Sequence, residues 1–224
     1  MKHFINIKDV PYKTLRKILS DTKKRKDLRK KLKTLEIDKD NPLKGILLIQ
    51  MFEKSSLRTR LSFYLAIRQL GGSALTLRPD ELHLSKGGES LSDTAKILST
   101  YGDIFVLRTD NEKKLNSFKK FLSIPLINGL SPNSHPAQIL SDIFTIEEIT
   151  KKNISRLNIC WIGDSNNVLN SLIEASIKFS FKLNIGCPKN YSPPNEMLRM
   201  IRQKSSKIKI FNNPKVAIKN ADVV

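Results

Sequence analysis

Phe52-Glu53-Lys54-Ser55-Ser56-Leu57-Arg58-Thr59-Arg60-Leu61-Ser62-Phe63 is the stretch on which the reading of the fold turns. The run before it, Gly45-Ile46-Leu47-Leu48-Ile49-Gln50-Met51-Phe52, is apolar and reads as a buried strand. Behind it Leu61, Tyr64, Leu65 and Ile67 with Leu70 fall at helical spacing, and Gly71-Gly72 ends the pattern. The polar residues from Ser55 to Arg60 therefore lie where a strand turns into the N-terminus of a helix. Such an end carries free backbone N–H groups and about half a unit of positive charge. Hydroxyls from Ser56 and Thr59 and guanidinium forks from Arg58 and Arg60 add donors, which suits an anion and most naturally a phosphate. The competing reading is a capped helix whose charges are simply solvated. Neither the Walker glycine loop nor the G-x-G-x-x-G fingerprint is present, so no nucleotide motif supports the site.

Outward from this stretch, strands and helices alternate. Ser73–Arg78 reads as a second strand, followed by a polar stretch from Pro79 to Glu89. Ser90 with Asp93 resembles a capping box, opening a helix through Ala95, Ile97 and Leu98. Asp103–Arg108 is a third strand with Arg108 at its C-terminal end, and Ile124–Asn128 is a fourth. The alternation predicts an α/β parallel sheet, and ligands bind such sheets beyond the carboxyl ends of the strands. The anion loop, Arg108 and the loop after Asn128 all fall at that edge.

In the last of these, Pro136 fits the first position of a helix and leaves His135 at its N-terminus. A positive helix end lowers the pKa of a histidine, which favours a neutral imidazole that donates a proton without losing it. A histidine that merely caps the helix is the alternative. Lys151-Lys152-Asn153 reads as a linker before a second domain, whose strands are expected at Leu157–Ile162, Leu183–Cys187 and Ile208–Phe211. Helices are expected from Leu169 to Ile177 and from Asn195 to Arg202, and Ala221–Val224 reads as the start of a further strand. The turn Gly163-Asp164-Ser165-Asn166-Asn167-Val168 has the strand–turn–helix layout of a ligand turn, although Asn-rich turns also occur as turns alone.

The length of 224 residues allows one large domain or two small ones, and no apolar run of about 18 residues predicts a transmembrane helix. The N-terminus has no apolar leader core, which predicts a cytoplasmic start. Cys160 and Cys187 lack metal-ligand spacing and read as reduced, buried thiols. The formal charge is +19, much of it between Lys13 and Lys33. Leu15, Ile18, Leu19, Leu28, Leu32 and Leu35 interleave with those cations as in an amphipathic helix with a solvated basic face. No aromatic platform runs through the segment, so a nucleic-acid-binding role is a minor alternative.

Ser56-Leu57-Arg58-Thr59-Arg60 with Leu61-Ser62-Phe63 resembles the Ser-Thr-Arg-Thr-Arg motif of the aspartate and ornithine carbamoyltransferases, which grips the phosphate of carbamoyl phosphate. Leu57 stands where the family has threonine. His135-Pro136-Ala137-Gln138 is similar to the family's His-Pro-x-Gln signature, and Asn128-Gly129-Leu130 precedes it as in the ornithine enzymes. The resemblance implies that Ser56, Leu57, Arg58 and Thr59 bind the phosphate. It also implies that Arg108 and His135 hold the carbonyl oxygen, and that Pro136, Ala137 and Gln138 complete the carbamoyl side. His83 takes the place of a family glutamine that contacts the same ligand, and Lys86 resembles a residue reaching a neighbouring subunit's site. Gly-Asp-x-Asn-Asn-Val at 163–168 resembles the ornithine enzymes, with Asn166 and Asn167 at the amino-acid end of the acceptor.

The implied fold is two doubly wound parallel-sheet α/β domains, residues 1–148 for carbamoyl phosphate and residues 149–224 for ornithine, the second incomplete. The implied reaction joins carbamoyl phosphate and L-ornithine, without cofactor or metal, in a homotrimer. The family's Ser-Met-Gly and His-Cys-Leu-Pro segments have no counterpart here. The expectations therefore include a weakly active or inactive relic that at most binds carbamoyl phosphate.

Overall fold

The computed structural model describes residues 3–81 and 88–224. In chain order its helices and strands are α1 (Tyr12–Leu28), β1 (Leu47–Phe52), α2 (Leu57–Gln69), β2 (Ser73–Leu77), α3 (Leu91–Tyr101), β3 (Ile104–Arg108), α4 (Glu112–Phe121) and β4 (Leu126–Leu130). There follow α5 (Pro136–Thr150), β5 (Asn158–Ile162), α6 (Asn167–Phe179), β6 (Lys182–Gly186), α7 (Asn195–Lys204), β7 (Ile208–Phe211) and α8 (Pro214–Ala217). The chain packs as two compact units, Met1–Ile5 with Ser20–Pro132 and Asn6–Leu19 with Asn133–Val224.

In the first unit the strand order is β2-β1-β3-β4, and every pairing is parallel. Successive side chains of a strand point to opposite faces, and both faces are buried. Ile49 and Met51 with Phe105 and Leu107 form one core with Ala95 and Leu98 of α3 and Leu115 and Phe118 of α4. The alternate residues Leu48 and Val106 pack with Ile67 of α2. Helices thus cover both sides of the sheet, the doubly wound arrangement expected from the alternating pattern. The rings of Phe105 and Phe118 lie 5.3 Å apart, a contact of a kind that contributes about 1 kcal/mol beyond burial alone.

Two elements of the first unit differ from the sequence reading. β4 runs from Leu126 to Leu130, two residues later than expected. Pro125 has no N–H to donate to a ladder, whereas Gly129 and Leu130 continue the strand because Leu130 pairs with Arg108. α4 was not anticipated. Its start is encoded by Asn111, whose side chain accepts from Lys114 N, and its inner face by Leu115 and Phe118 three residues apart. Of the apolar residues spaced along α2, only Ile67 is buried; Leu57, Leu61 and Tyr64 are 66, 45 and 38 % exposed. Gly71 closes that helix with φ +93°, and a Cβ there would collide with the Asn41 side chain at 1.4 Å.

The second unit holds a parallel sheet of order β5-β6-β7. Leu183 and Ile185 of β6 are fully buried, as are Leu169, Ile173 and Ala175 of α6. α8 lies against the strands, where Asn184 Nδ2 donates to the Ala217 carbonyl at 2.9 Å. The segment before and at the start of α1 belongs to this unit through Ile7, Leu15 and Leu19. Its Lys8 N–H donates to the buried Glu174 carboxylate at 3.0 Å, and Arg16 pairs with Glu147 at 2.8 Å. The final residues make a parallel bridge from Val223 to Ile159, with Cys160 N donating to Val223 O at 2.8 Å. Both cysteines are free and buried.

Candidate functional site

The anion loop is fixed by the sheet beneath it. β1 ends at Phe52 directly opposite Arg108, the last residue of β3. Parallel pairing therefore delivers the start of α2 and the Arg108 side chain to the same carboxyl edge. Ser56 is the residue before the helix, yet its hydroxyl makes no capping bond to the first turn. It accepts instead from Arg108 Nη1 at 3.0 Å. The helix end is left with its first-turn N–H groups open, those of Leu57, Arg58 and Thr59. Arg58 and Arg60 are exposed, and among the described residues no hydrogen bond or ion pair reaches either guanidinium. Among the described residues Arg108 Nε is buried without a hydrogen-bond partner. This is an electropositive helix start with unspent donors, and it suits a phosphate group.

Just before the loop, Glu53 accepts from the Thr109 hydroxyl and the Lys114 ammonium, and Lys54 pairs with Asp110 at 3.1 Å. Sequence reasoning missed these partners, because nothing in the spacing of residues 53 and 114 announces that they meet.

In the second unit His135 is the residue before α5, is 8 % exposed, and is followed by Pro136 at the first helical position. Its backbone N–H donates to Ser171 Oγ at 2.9 Å, and Ser134 Oγ lies 3.0 Å from the same oxygen. Asn170 Nδ2 adds a bond to Asn133 O at 3.2 Å. Gln138 is exposed and donates its amide N–H to Asp142 Oδ1 at 2.7 Å, which leaves the amide oxygen as an acceptor. Burial pushes the Asp142 carboxyl above the usual range. Ala137 faces the same helix start with its carbonyl taken by Ser141.

The turn after β5 places Asn166 before α6, where its side-chain oxygen accepts from Val168 N and Leu169 N at 2.9 and 3.1 Å. That oxygen is spent on the helix, so Asn166 keeps its amide N–H₂ for other partners. Gly163 carries the turn with φ +137°, and Cys187 Sγ donates to the Gly163 carbonyl at 2.8 Å beneath it. Burial pushes the Cys187 thiol up, which suits a structural thiol rather than a nucleophile.

The first unit thus brings together Ser56, Leu57, Arg58, Thr59 and Arg108. The second brings together His135, Pro136, Ala137 and Gln138. It links them to Asn166 and Asn167 through α6, whose next turn carries Asn170 and Ser171. His83 and Lys86 lie outside the described residues. Among the described residues no group of three or more His, Cys, Asp or Glu is arranged to hold a metal ion, and no helix is long and apolar enough to cross a membrane. In the basic segment Arg25, Arg29 and Lys30 are paired with Asp38, Asp40 and Asp27, so part of its charge is compensated internally.

Fold and geometry define a class: an α/β protein of two parallel sheets with an anion-receptive helix start at the carboxyl edge of the first. Comparison with known proteins places it more closely. Residues 2–148 match the carbamoyl-phosphate-binding domain of the aspartate/ornithine carbamoyltransferases, and residues 155–224 match their aspartate/ornithine-binding domain. The ornithine carbamoyltransferase of Rhizorhabdus wittichii is 38% identical over 223 residues, covering 100% of this chain and 72% of its own. That of Brucella ovis is 38% identical over 224 residues, covering 100% and 70%. Among solved structures, the ornithine carbamoyltransferase from Pyrococcus furiosus superposes with a TM-score of 0.91 at 32% identity, over 99% of this chain and 70% of that one. The catalytic subunit of the M. jannaschii aspartate transcarbamoylase superposes at 0.83 and 29%, over 100% and 72%. The chain belongs to the aspartate/ornithine carbamoyltransferase family, and it is a carbamoyltransferase.

Proposed function

We propose that the protein is an ornithine carbamoyltransferase, moving the carbamoyl group of carbamoyl phosphate to the δ-amine of L-ornithine to give L-citrulline and phosphate. The observation that carries the donor side is the 3.0 Å bond from Arg108 to Ser56 at an uncapped helix start flanked by the exposed Arg58. In this reading the N–H of Leu57, the hydroxyls of Ser56 and Thr59, and Arg58 hold the phosphate. Arg108 and His135 stabilise the charge that develops on the carbonyl oxygen as the amine nitrogen adds to carbon. Gln138, oriented by Asp142, accepts from the carbamoyl N–H₂ with Pro136 and Ala137 beside it, and His83 stands in for the family glutamine. Collapse of the adduct breaks the carbon–oxygen bond to phosphate, and the amine gives up a proton. Holding two reactants in register supplies much of the acceleration, so the reaction needs no metal.

Asn166 and Asn167 take the amino-acid end of ornithine. The Gly-Asp-Ser-Asn-Asn-Val turn and the similarity to curated ornithine enzymes support ornithine over aspartate as acceptor. Residues 1–148 then form the carbamoyl-phosphate domain and residues 149–224 the ornithine domain of a cytoplasmic homotrimer in arginine metabolism. Exposed Leu57, Leu61 and Tyr64 on α2 and Leu75 on the edge strand β2 support self-association through the first unit.

The test is product analysis with carbamoyl phosphate and either L-ornithine or L-aspartate, alongside carbamoyl-phosphate-dependent thermal stabilisation. Citrulline with no carbamoylaspartate is expected, and Arg108→Leu should lower kcat/KM by about a thousandfold, comparable with losing one oxyanion donor. Carbamoylaspartate as the main product would overturn the choice of acceptor. Thermal stabilisation by carbamoyl phosphate without either product would mark a binding protein without chemistry.

A further inference from the structure

Glu53 is assigned to no ligand, yet only 12% of its side chain is exposed at the base of the anion loop. One carboxylate oxygen accepts from the Thr109 hydroxyl and the other from the Lys114 ammonium. Its backbone N–H donates to the Arg108 carbonyl at 3.0 Å. The Thr109 hydroxyl is itself held, accepting from Asn111 N at 3.0 Å, and Thr109 is 1% exposed. The outer pair Lys54–Asp110 spans the same two segments. One carboxylate therefore joins the start of the loop to the residue after Arg108 and to the first turn of α4. Beyond this junction Ser56 and Arg108 stand 3.0 Å apart.

We propose that Glu53, Thr109 and Lys114 form a positioning cluster that fixes the anion loop against the end of β3, so that the Ser56 hydroxyl and the Arg108 guanidinium are set for one phosphate group. The proposal rests on the phosphate reading of the loop given above. The physical need is plain. Between Glu53 and Ser56, Lys54 and Ser55 make no backbone hydrogen bond to strand or helix among the described residues, and a loop left free must be ordered when ligand binds, at a cost in affinity. Charge-assisted hydrogen bonds to a largely buried carboxylate order it beforehand. Lys114 has a second effect, since it neutralises a carboxylate that would otherwise repel an anion in the loop.

Three variants separate these effects. Thr109→Val removes the hydroxyl's bonds to Glu53 and from Asn111 N without changing charge, Lys114→Met removes the cation, and Lys114→Arg restores it. Inorganic phosphate affinity is measured by calorimetry, and hydrogen exchange of the amides at 54–60 is measured without ligand, with the β1 amides as the folding control. Thr109→Val and Lys114→Met should each weaken phosphate about tenfold and speed exchange at 54–60 while β1 stays protected, and Lys114→Arg should recover most of both. Unchanged exchange at 54–60 in folded Thr109→Val and Lys114→Met overturns the positioning role. Should the unsubstituted protein bind no phosphate, the phosphate reading falls by itself. Exchange then still decides the cluster: faster loop exchange in the variants supports it and unchanged exchange overturns it.

Discussion

Leu57 shows how a single residue is read differently once its surroundings are known. As a replacement for the family threonine it looks like a lost hydroxyl, but its side chain is 66% exposed while its backbone sits in the first turn of α2. What it offers an anion is its N–H, which any residue other than proline supplies. Leu57→Thr is therefore expected to leave carbamoyl-phosphate KM within about twofold, whereas Arg58→Ala, which removes an exposed guanidinium beside the helix start, should raise it at least tenfold, as steady-state kinetics would show. Asp142 is a quieter case. It fixes the Gln138 amide at 2.7 Å, so Asp142→Ala should raise KM several-fold with little change in melting temperature. Arg58, Arg108 and His135 were legible because each is a chemically special residue at an element end. Asp142, Ser171 and Thr109 were not, because a carboxylate or hydroxyl takes its meaning from what lies beside it.

At the scale of elements, strands β1 and β3 and helices α2, α5 and α6 were legible from apolar runs and their punctuation by Ser, Asn, Gly and Pro. α4 was hidden by its lysines, although an Asn cap and two inward residues encode it. β4 was misplaced because pairing with β3, a long-range contact, sets where it ends. The most consequential element is α6, which carries Glu174 to the N-terminal segment of the chain. Burial pushes that carboxyl above its ordinary value despite the bond from Lys8 N–H and the nearby Lys8 ammonium at 3.6 Å. A carboxyl whose pKa is raised by folding binds its proton more tightly in the folded state. Its contribution to stability is complete below the ordinary value near 4.5 and is lost as pH rises through the raised one. Glu174→Gln keeps an acceptor for Lys8 N–H and cannot ionise. Its melting temperature relative to the unsubstituted protein should climb by about 2–4 °C across that window and level off above it, and a scan of melting against pH would show the step.

At the scale of the molecule, the charge of +19 is spread over both units and creates a field that favours anionic substrates. The exposed apolar residues are more telling. Leu57, Leu61 and Tyr64 line α2 beside an edge strand, where a monomer would gain nothing by displaying them. If they cover one another in a trimer, Leu61→Glu with Tyr64→Glu should weaken assembly by roughly 3 kcal/mol or more, about a hundredfold in the association constant. Sedimentation velocity would then show monomer at concentrations where the unsubstituted protein is assembled.

The sequence by itself determined the alternation of strands and helices, the placing of a Ser/Thr/Arg loop at a helix start, and the location of Arg108 and His135 at element ends. These are local properties, set by side-chain periodicity and by capping and turn residues within a few positions of one another. Only the tertiary structure decided that Ser56 turns from its own helix to Arg108. Only the tertiary structure, too, brings Lys114 to Glu53 and sets Ser171 beneath His135, because each of these bonds joins segments tens of residues apart. Such contacts follow from strand order and helix packing, to which spacing along the chain is blind.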